Sequence, residues 1–337
     1  MARRLVAFGL MTGAAGVCAG CAVSPSALSP HGDRADTLAS LWWLMFVIGV
    51  AVYVIVVGLF AVAALRPRRQ ATAAEAEAAL HAAGGRSNAV IIAVAGAIIP
   101  AIILVIVFAA TVHAMTAFTG GGANPLTIEV VGRDWWWEVR YPASDITTAN
   151  EIHIPTGQTV KLELTAGDVI HSFWVPELQA KQDAIPGQTN TLLLDAKQPG
   201  TYRGQCAEYC GLQHAHMAFY VIAQSSQEYA AWLQTESAEP AQPSDTIAQK
   251  GQQAFLNASC AYCHAIKGTG AGGKTGPDLT HLASRSTIGA GVLTNTTANL
   301  AGWIINPQIF KPGSNMPPSS LAPADLQAIL TYLQTLK

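Results

Sequence analysis

The sequence predicts a multidomain membrane protein: a two-helix transmembrane hairpin, a β-sandwich and an all-α domain, in that order along 337 residues. Two long runs lack charge, a middle segment alternates apolar and polar residues, and the C-terminal segment combines helical apolar spacing with a Cys-X-X-Cys-His motif. Charged residues make up only 12% of the chain, against about 25% in soluble domains. This composition favours a partly lipid-embedded chain and excludes disorder and a nucleic-acid role.

The first 20 residues have the layout of a secretory signal, and we exclude them from the fold. Two arginines precede an apolar stretch that ends in small residues. Ala19-Gly20-Cys21 resembles a bacterial lipoprotein cleavage site, in which Cys21 becomes the lipidated first residue. An ordinary signal peptide or an uncleaved anchor is the alternative. Residues 21–40 are then predicted to form a periplasmic N-terminal segment.

Two uncharged segments, 41–65 and 89–113, are predicted to cross the membrane, since each exceeds the roughly 20 residues that a spanning helix needs. A buried helix pair of a soluble protein is the alternative, but tryptophans near the first segment and a basic cluster after it are typical of a membrane boundary. The connecting loop, 66–88, is expected in the cytoplasm, and everything after it in the periplasm. The basic residues of this loop are Arg66, Arg68, Arg69 and Arg86.

Residues 120–235 are predicted to form the β-sandwich. Val160, Leu162 and Leu164 alternate with Lys161 and Glu163. Other short strand-like runs are separated by Pro-Gly and similar turn signals. Short strands at this spacing are typical of a sandwich or barrel of about 100 residues.

Soft metal donors are concentrated in segment 206–217, which reads Cys-Ala-Glu-Tyr-Cys-Gly-Leu-Gln-His-Ala-His-Met, and His171 precedes it. Thiolate, imidazole and thioether ligands suit copper. A single copper needs only one thiolate, so the second cysteine supplies enough sulfur to bridge two metals. A tetrahedral zinc site is the alternative; it would use Cys206, Cys210, His214 and His171.

This segment resembles the CuA motif of cytochrome c oxidase subunit II at every fixed position: Cys, any residue, Glu, any residue, Cys, Gly, two residues, His, two residues, Met. The resemblance implies a cupredoxin-like domain that holds a dinuclear copper centre. It implies that Glu208 also directs its carboxylate toward a magnesium ion shared with subunit I. The implied copper ligands are the bridging Cys206 and Cys210, one imidazole each from His171 and His214, the Met217 thioether and the Glu208 backbone carbonyl.

Three consecutive tryptophans, Trp135, Trp136 and Trp137, match the family segment that lies over the copper centre. The resemblance implies that electrons reach the copper through Trp135. Packing in the core is the alternative, above all for Trp136 and Trp137, because aromatic residues favour strands and cores.

Residues 236–244, with two prolines, predict a linker to a last domain, 245–337. Cys260-Ala-Tyr-Cys263-His264 is the attachment pattern of a c-type haem, in which both thiols form thioethers and the histidine is the proximal ligand. Met316, in a proline-rich loop, is the expected second axial ligand, and this ligation suits electron transfer. With its predicted helices, the segment resembles a class I cytochrome c.

Together these resemblances identify the chain as a member of the subunit II family of caa-type cytochrome c oxidases, with a cytochrome c fused to it. They imply a place in the bacterial inner membrane. Electrons would pass from an external donor, a cytochrome or a quinol–cytochrome c reductase complex, to the haem, the copper and subunit I, where oxygen is reduced and protons are pumped. Subunit III is a further expected partner.

Two other functions fit parts of the pattern. One is the donor subunit of another terminal reductase, such as one that acts on nitrogen oxides. The other is a membrane-anchored copper carrier or assembly protein, and the haem motif counts against it.

Overall fold

The computed structural model describes residues 25–66, 72, 74–75, 77–78, 86–116, 118 and 125–337. The predicted leader with Cys21, and Arg68 and Arg69 of the predicted cytoplasmic loop, lie outside these described residues. The chain divides into a smaller unit, 37–120, and a larger unit made of 1–36 and 121–337.

The smaller unit consists of two long apolar helical segments. The first is α1 (Asp33–Leu65), whose first turn belongs to the larger unit. The second contains α2 (Arg86–Ala93), a π-helical turn (Val94–Ile98) and α3 (Ile99–Thr116). Both segments are long and apolar enough to cross a membrane.

The π-helical turn has a local cause in Pro100. Proline has no N–H and its ring clashes with the carbonyl four residues before it, so the ordinary helical hydrogen bond cannot form there. The neighbouring Ile99 N–H instead reaches back five residues to the Val94 carbonyl. The helix therefore continues through the proline, with one widened turn.

The sandwich of the larger unit contains two five-stranded sheets that share one apolar core. The sheet orders are β3-β2-β1-β5-β8 and β4-β10-β9-β6-β7. Pairing is parallel between β1 and β5 and between β4 and β10, and antiparallel elsewhere. The strands are β1 (Leu126–Arg133), β2 (Trp136–Tyr141), β3 (Ile146–Ala149), β4 (Glu151–Pro155), β5 (Val160–Ala166), β6 (His171–Trp174), β7 (Gln182–Ala184), β8 (Asn190–Leu194), β9 (Gly200–Cys206) and β10 (Ala218–Gln224).

The alternation predicted for β5 is confirmed. Val160, Leu162 and Leu164 are wholly buried, whereas Lys161 and Glu163 on the other face are partly exposed. Strand β5 therefore contributes three aliphatic side chains to the core that the two sheets share.

A helix that the sequence analysis missed, α4 (Ser226–Ser237), follows the last strand. It begins with a capping box, in which Ser225 and Glu228 satisfy each other's backbone N–H groups. The helix extends two residues into the segment 236–244 that was predicted as a linker. Trp232 packs this helix against the sandwich core.

The C-terminal domain is helical, as predicted, and its terminal helices cross closely. A Cβ atom at Gly251 would lie 1.9 Å from the Ala328 carbonyl oxygen, so only glycine permits this approach. The buried face of the last helix includes Ile329, Leu330 and Leu333. The elements are α5 (Thr246–Asn257), α6 (Cys260–Cys263), the short strands β11 (Thr287–Ile288) and β12 (Leu293–Thr294), α7 (Thr297–Ile305) and α8 (Pro323–Leu333).

Candidate functional site

Strand pairing brings the predicted copper ligands to one end of the sandwich. His171 is the first residue of β6 and Cys206 is the last residue of β9, and these two strands are neighbours. The loop after β9 returns Cys210 and the short helical turn His214–His216 to the same place. Met217 precedes β10, and its carbonyl accepts a 3.0 Å hydrogen bond from the Cys206 N–H, which closes the base of the loop.

Each of the six predicted donor atoms lies within 4.0 Å of a cysteine sulfur. The distances are 3.7 Å between Cys206 Sγ and Cys210 Sγ, 4.0 Å from Cys206 Sγ to His171 Nδ1, 3.2 Å from Cys206 Sγ to Glu208 O, 3.7 Å from Cys210 Sγ to His214 Nδ1, and 3.9 Å from Cys210 Sγ to Met217 Sδ. Each sulfur thus faces one imidazole. A structural zinc ion takes four ligands, so two of the six donors would be left over. The set fits two soft metal ions that share the thiolates.

The two buried thiols titrate as a pair. The hydrogen bond between the two thiols lowers the pKa of Cys206 to about 3, and the same interaction raises the pKa of Cys210 far above its usual value. These opposite shifts favour a thiolate at Cys206 and a proton on Cys210. Metal coordination favours thiolates, so cations between the sulfurs would displace that proton.

Asp168, which the sequence analysis missed, orients His171. Asp168 Oδ1 lies 2.8 Å from His171 Nε2, and the Asp134 N–H donates to Asp168 Oδ2 at 2.7 Å. Burial alone would lower the pKa of His171, but hydrogen bonds with Asp168 and Cys206 outweigh burial and raise that pKa to about 9. Because the carboxylate holds Nε2, the nitrogen that faces the sulfurs is Nδ1. The one sequence signal for this role is an aspartate in a turn three residues before the histidine.

The three consecutive tryptophans have different surroundings. Trp137 is wholly buried in the sandwich and meets Phe173 edge to face, which agrees with the packing alternative. Trp135 is half-buried, and its Nε1–H donates to the Cys210 carbonyl at 2.7 Å. Trp136 lines a cavity next to it. The indole of Trp135 therefore touches the metal loop directly.

An apolar cavity in the C-terminal domain is lined by all four predicted haem residues, Cys260, Cys263, His264 and Met316. Both cysteines are free of disulfide bonds to any described residue. The same cavity is lined on one side by Trp135 and Trp136 of the sandwich. Its apolar walls include Leu279, Leu300, Trp303, Ile304, Ile329 and Leu333.

Neighbouring groups form hydrogen bonds with His264 and with the backbone of Met316, the two expected iron ligands. His264 Nδ1–H donates to the Pro277 carbonyl at 2.6 Å, which leaves Nε2 free for a metal. Burial lowers the pKa of His264 and so favours its neutral, ligating form. Gln308, which the sequence analysis also missed, donates from Nε2 to the Met316 carbonyl at 2.9 Å.

A buried cation at the cavity wall also fits a haem. Arg285 is 8% exposed, and its Nη2 donates to the Asp278 carbonyl at 2.5 Å. Its Nε has no hydrogen-bond partner among the described residues. A haem carries two carboxylates, so a buried guanidinium beside it would be partly neutralised. The cavity therefore suits a haem in its polar groups as well as in its apolar walls.

The sandwich carries a loop with two buried thiols and two imidazoles, as in a cupredoxin-like domain. The helical domain has a cavity lined by a Cys-X-X-Cys-His motif, as in a cytochrome c. Together with the two membrane helices, these features define the class as a membrane-anchored electron-transfer protein. Two family descriptions match these parts: cytochrome c oxidase subunit II, periplasmic domain, over residues 143–224, and cytochrome c over residues 248–337. The two matches cover the sandwich and the haem-motif domain respectively.

Similar proteins cover most of the chain. Cytochrome c oxidase subunit 2 of Alkalihalophilus pseudofirmus is 36% identical over 93% of this chain and 91% of its own length. The protein of the same name from Bacillus sp. strain PS3 is 33% identical over 64% of this chain and 63% of its own length. Among solved structures, the periplasmic domain of subunit II of cytochrome oxidase (CoxB) of Bradyrhizobium japonicum is 30% identical over 35% of this chain and 96% of that chain, with a TM-score of 0.34.

The chain belongs to the cytochrome c oxidase subunit II family, and it carries a cytochrome c domain at its C-terminal end. It is therefore a subunit of an oxidoreductase complex, a cytochrome c oxidase, in which subunit I is its partner. Family membership implies a CuA copper centre in the sandwich and a haem in the cytochrome c domain. It also implies a membrane anchor with periplasmic domains.

Proposed function

We propose that this chain carries electrons from an external donor to its own haem, then to its copper centre, and on to subunit I, where oxygen is reduced to water and protons are pumped. The observation that carries this proposal is that residues of the sandwich form part of the wall of the haem cavity. Trp135 lines that cavity and also donates a hydrogen bond to the Cys210 carbonyl. One residue thus lines the haem cavity and contacts the metal loop, and it is the residue through which electrons would reach the copper.

The proposed copper ligands are those implied by the motif. Cys206 and Cys210 would supply the thiolates that two coppers share, and His171 and His214 would each supply an imidazole Nδ1 to one of them. The Met217 thioether and the Glu208 carbonyl are the weaker ligands. The distances between these donors and the two sulfurs support this arrangement. The copper pair would accept and release single electrons within a site that its ligands hold rigidly.

The proposed haem would be attached through Cys260 and Cys263, and His264 and Met316 would be the ligands of its iron. Soft methionine ligation raises the reduction potential and closes the iron to small ligands, which suits an electron carrier. The buried, neutral His264 and the Gln308 contact to Met316 support this assignment.

Contacts beyond the two centres are also proposed. Glu208 is exposed, so its carboxylate is free to reach a magnesium ion at the surface of subunit I. Subunit III, a cytochrome or quinol–cytochrome c reductase complex as donor, and the bacterial inner membrane complete the proposed setting. Acylation of Cys21 would add a lipid anchor, and the intact mass of the mature protein tests it.

The test is an absorption spectrum of the purified full-length chain, oxidised and reduced, together with its copper, zinc and iron content. We expect a c-type haem band, a near-infrared band from the mixed-valence copper pair, two coppers and one iron per chain. A zinc-loaded chain without the near-infrared band would contradict the proposed copper centre. A haem lost on extraction with acidic solvent would contradict the proposed thioethers.

A further inference from the structure

Lys311 is buried at the contact between the cytochrome c domain and the sandwich. It is 3% exposed, and its Nζ donates to the Trp135 carbonyl at 2.6 Å and to the Gly289 carbonyl at 3.2 Å. No carboxylate oxygen of any described residue lies within 4.0 Å of the ammonium. Burial accordingly lowers the pKa of Lys311 to about 7. A buried cation without a carboxylate partner is unfavourable for folding, and this one lines the haem cavity as well as the contact with the sandwich.

Lys311 begins the short loop that ends at Met316, the proposed axial ligand. Two more hydrogen bonds tie this loop to the sandwich. Gln213 Nε2 donates to the Pro312 carbonyl at 2.6 Å, and Asn315 Nδ2 donates to the Asp134 carbonyl at 3.3 Å. The loop is therefore attached to the sandwich at its first residue, at its second residue and beside its last.

Trp135 lies at the centre of these contacts. Its carbonyl accepts the hydrogen bond from Lys311, and its indole N–H donates to the Cys210 carbonyl at 2.7 Å. A continuous series of bonded and hydrogen-bonded atoms thus runs from the Met316 loop through Lys311 and Trp135 to Cys210. In this series the link at Lys311 crosses between the two domains, and the longer Asn315 contact to the Asp134 carbonyl crosses beside it.

We propose that Lys311 is a positioning residue for electron transfer from haem to copper: its ammonium fixes the Met316 loop against the Trp135 carbonyl and thereby sets the contact between the two redox sites. This inference rests on the proposed function of the chain. One electron leaves the ferrous haem, which becomes ferric, and reduces the oxidised copper pair by one electron. No bond forms or breaks, and no proton is transferred.

Some contacts between the domains lie away from the Met316 loop. The Ser286 N–H donates to Glu151 Oε1 at 2.8 Å, and the Ala218 N–H donates to the Ala290 carbonyl at 3.0 Å. These bonds lie outside the 311–316 loop. Removal of the ammonium should therefore loosen the loop while the domains stay in contact.

The experiment compares the wild type, Lys311→Met and Lys250→Met in the assembled oxidase. Methionine keeps the length and apolar stem of lysine without its donors. Lys250 is an exposed lysine on α5 of the same domain, so its variant removes the same charge away from the loop. A light pulse with a photoreductant delivers one electron to the haem, and the haem and near-infrared copper bands report its transfer. Equilibrium titration of both centres gives the driving force, and hydrogen exchange of the Ala218 amide reports domain contact.

Misplacement of reacting groups by about 1 Å can slow a reaction by about a hundredfold, and a loosened loop should have a smaller effect, so we expect Lys311→Met to transfer the electron about tenfold more slowly. We expect unchanged Ala218 protection, and the wild-type rate in Lys250→Met. A wild-type rate in Lys311→Met would overturn the inference. Slow transfer with an unprotected Ala218 amide, or with a changed driving force that accounts for the rate, would also overturn it. A wild-type chain whose haem never passes its electron to copper would instead contradict the proposed function.

Discussion

Single residues outside the motifs hold the proposed ligands in place. Asp168 hydrogen-bonds one ring nitrogen of His171, and the Pro277 carbonyl hydrogen-bonds one ring nitrogen of His264. Gln308 donates a hydrogen bond to the backbone carbonyl of Met316. In each case the neighbour occupies the atom that is not needed for the metal. Such supporting contacts fix ligand orientation and commonly matter nearly as much as the ligands themselves.

Replacement of Asp168 by alanine should weaken copper binding. Without the carboxylate, the His171 ring loses the hydrogen bond at Nε2 that directs Nδ1 toward the sulfurs, and loss of such a partner costs about 10- to 100-fold in metal affinity. Competition with a chelator of known affinity measures the change. Asp325→Ala, on the exposed start of α8, is the control and should bind copper like the wild type. Equal copper affinity in Asp168→Ala and the wild type would contradict this role of Asp168.

The donor residues themselves were predictable because their signal is local. Cys206, Cys210, His214 and Met217 fall within twelve consecutive positions, and the haem motif occupies five. Asp168 and Gln308 carry no comparable signal, because their roles depend on where a turn and a loop meet other parts of the fold. The tryptophan run was predicted as a group, but only the folded chain separates the buried Trp137 from Trp135, which touches the metal loop.

At the scale of elements, the segment before the first membrane helix is built into the sandwich. The His31 N–H donates to the Glu177 carbonyl at 2.7 Å, and the Lys197 N–H donates to the His31 carbonyl at 2.8 Å. The Asp195 carboxylate accepts hydrogen bonds from the Asp33 N–H and from the buried Arg34 guanidinium, each at 2.7 Å. The first turn of α1 is thereby attached to the chain that follows β8.

Replacement of Asp195 by alanine should destabilise the sandwich strongly. Removal of one partner from a buried ion pair leaves an uncompensated charge and costs about 3–5 kcal/mol. Lys197→Met is the matched control: the ion pairs of Lys197 with Asp33 and Asp36 are more exposed, and such pairs contribute at most about 1 kcal/mol. Denaturation of the detergent-solubilised chain, followed by tryptophan fluorescence, measures both changes. A similar loss of unfolding free energy in the two variants would show that the buried Arg34–Asp195 pair stabilises the sandwich no more than the exposed pairs do.

Helix α4 covers His153 of the sandwich, and this burial makes the stability of the fold sensitive to acid. His153 stacks on Trp232 with ring centroids 4.2 Å apart, and its Nδ1 lies 2.9 Å from Gln224 Oε1. Burial lowers the pKa of His153 below its usual value. The folded state therefore keeps the ring neutral, whereas the unfolded chain binds a proton near the ordinary pKa of about 6.5. The contribution of neutral His153 to the stability of the fold is therefore fully present above a pH of about 6.5. It is lost as the pH falls through the lower pKa of the folded state.

Replacement of His153 by phenylalanine should reduce the loss of stability on mild acidification, because phenylalanine keeps the stacking on Trp232 and binds no proton. Unfolding temperatures between about pH 7 and pH 5 measure the effect. His216, an exposed histidine outside the donor set, supplies the control variant His216→Phe, which should keep the wild-type acid sensitivity. An acid response of His153→Phe as steep as that of the wild type would contradict this account.

At the scale of the whole molecule, the relation between the two periplasmic domains is what the sequence could least predict. Residues 120–235 carry twelve acidic and six basic side chains, and this negative excess predicts attraction toward the near-neutral cytochrome c domain. One ion pair across the contact, Lys267 with Asp145, agrees with that expectation. Most of the described contacts, however, are hydrogen bonds to backbone groups, as at Lys311 and Ala218. Such contacts depend on backbone geometry rather than on composition, so no sequence pattern indicates them.

The central claim is that electrons pass from the haem of this chain to its copper through Trp135, which lines the haem cavity and contacts the metal loop. The most direct measurement delivers a single electron to the haem of the wild-type oxidase and follows both centres in time. The account predicts that the haem is reoxidised at the same rate at which the near-infrared copper band disappears. A haem that stays reduced while the copper stays oxidised, or a copper pair that is reduced before the haem, would contradict it.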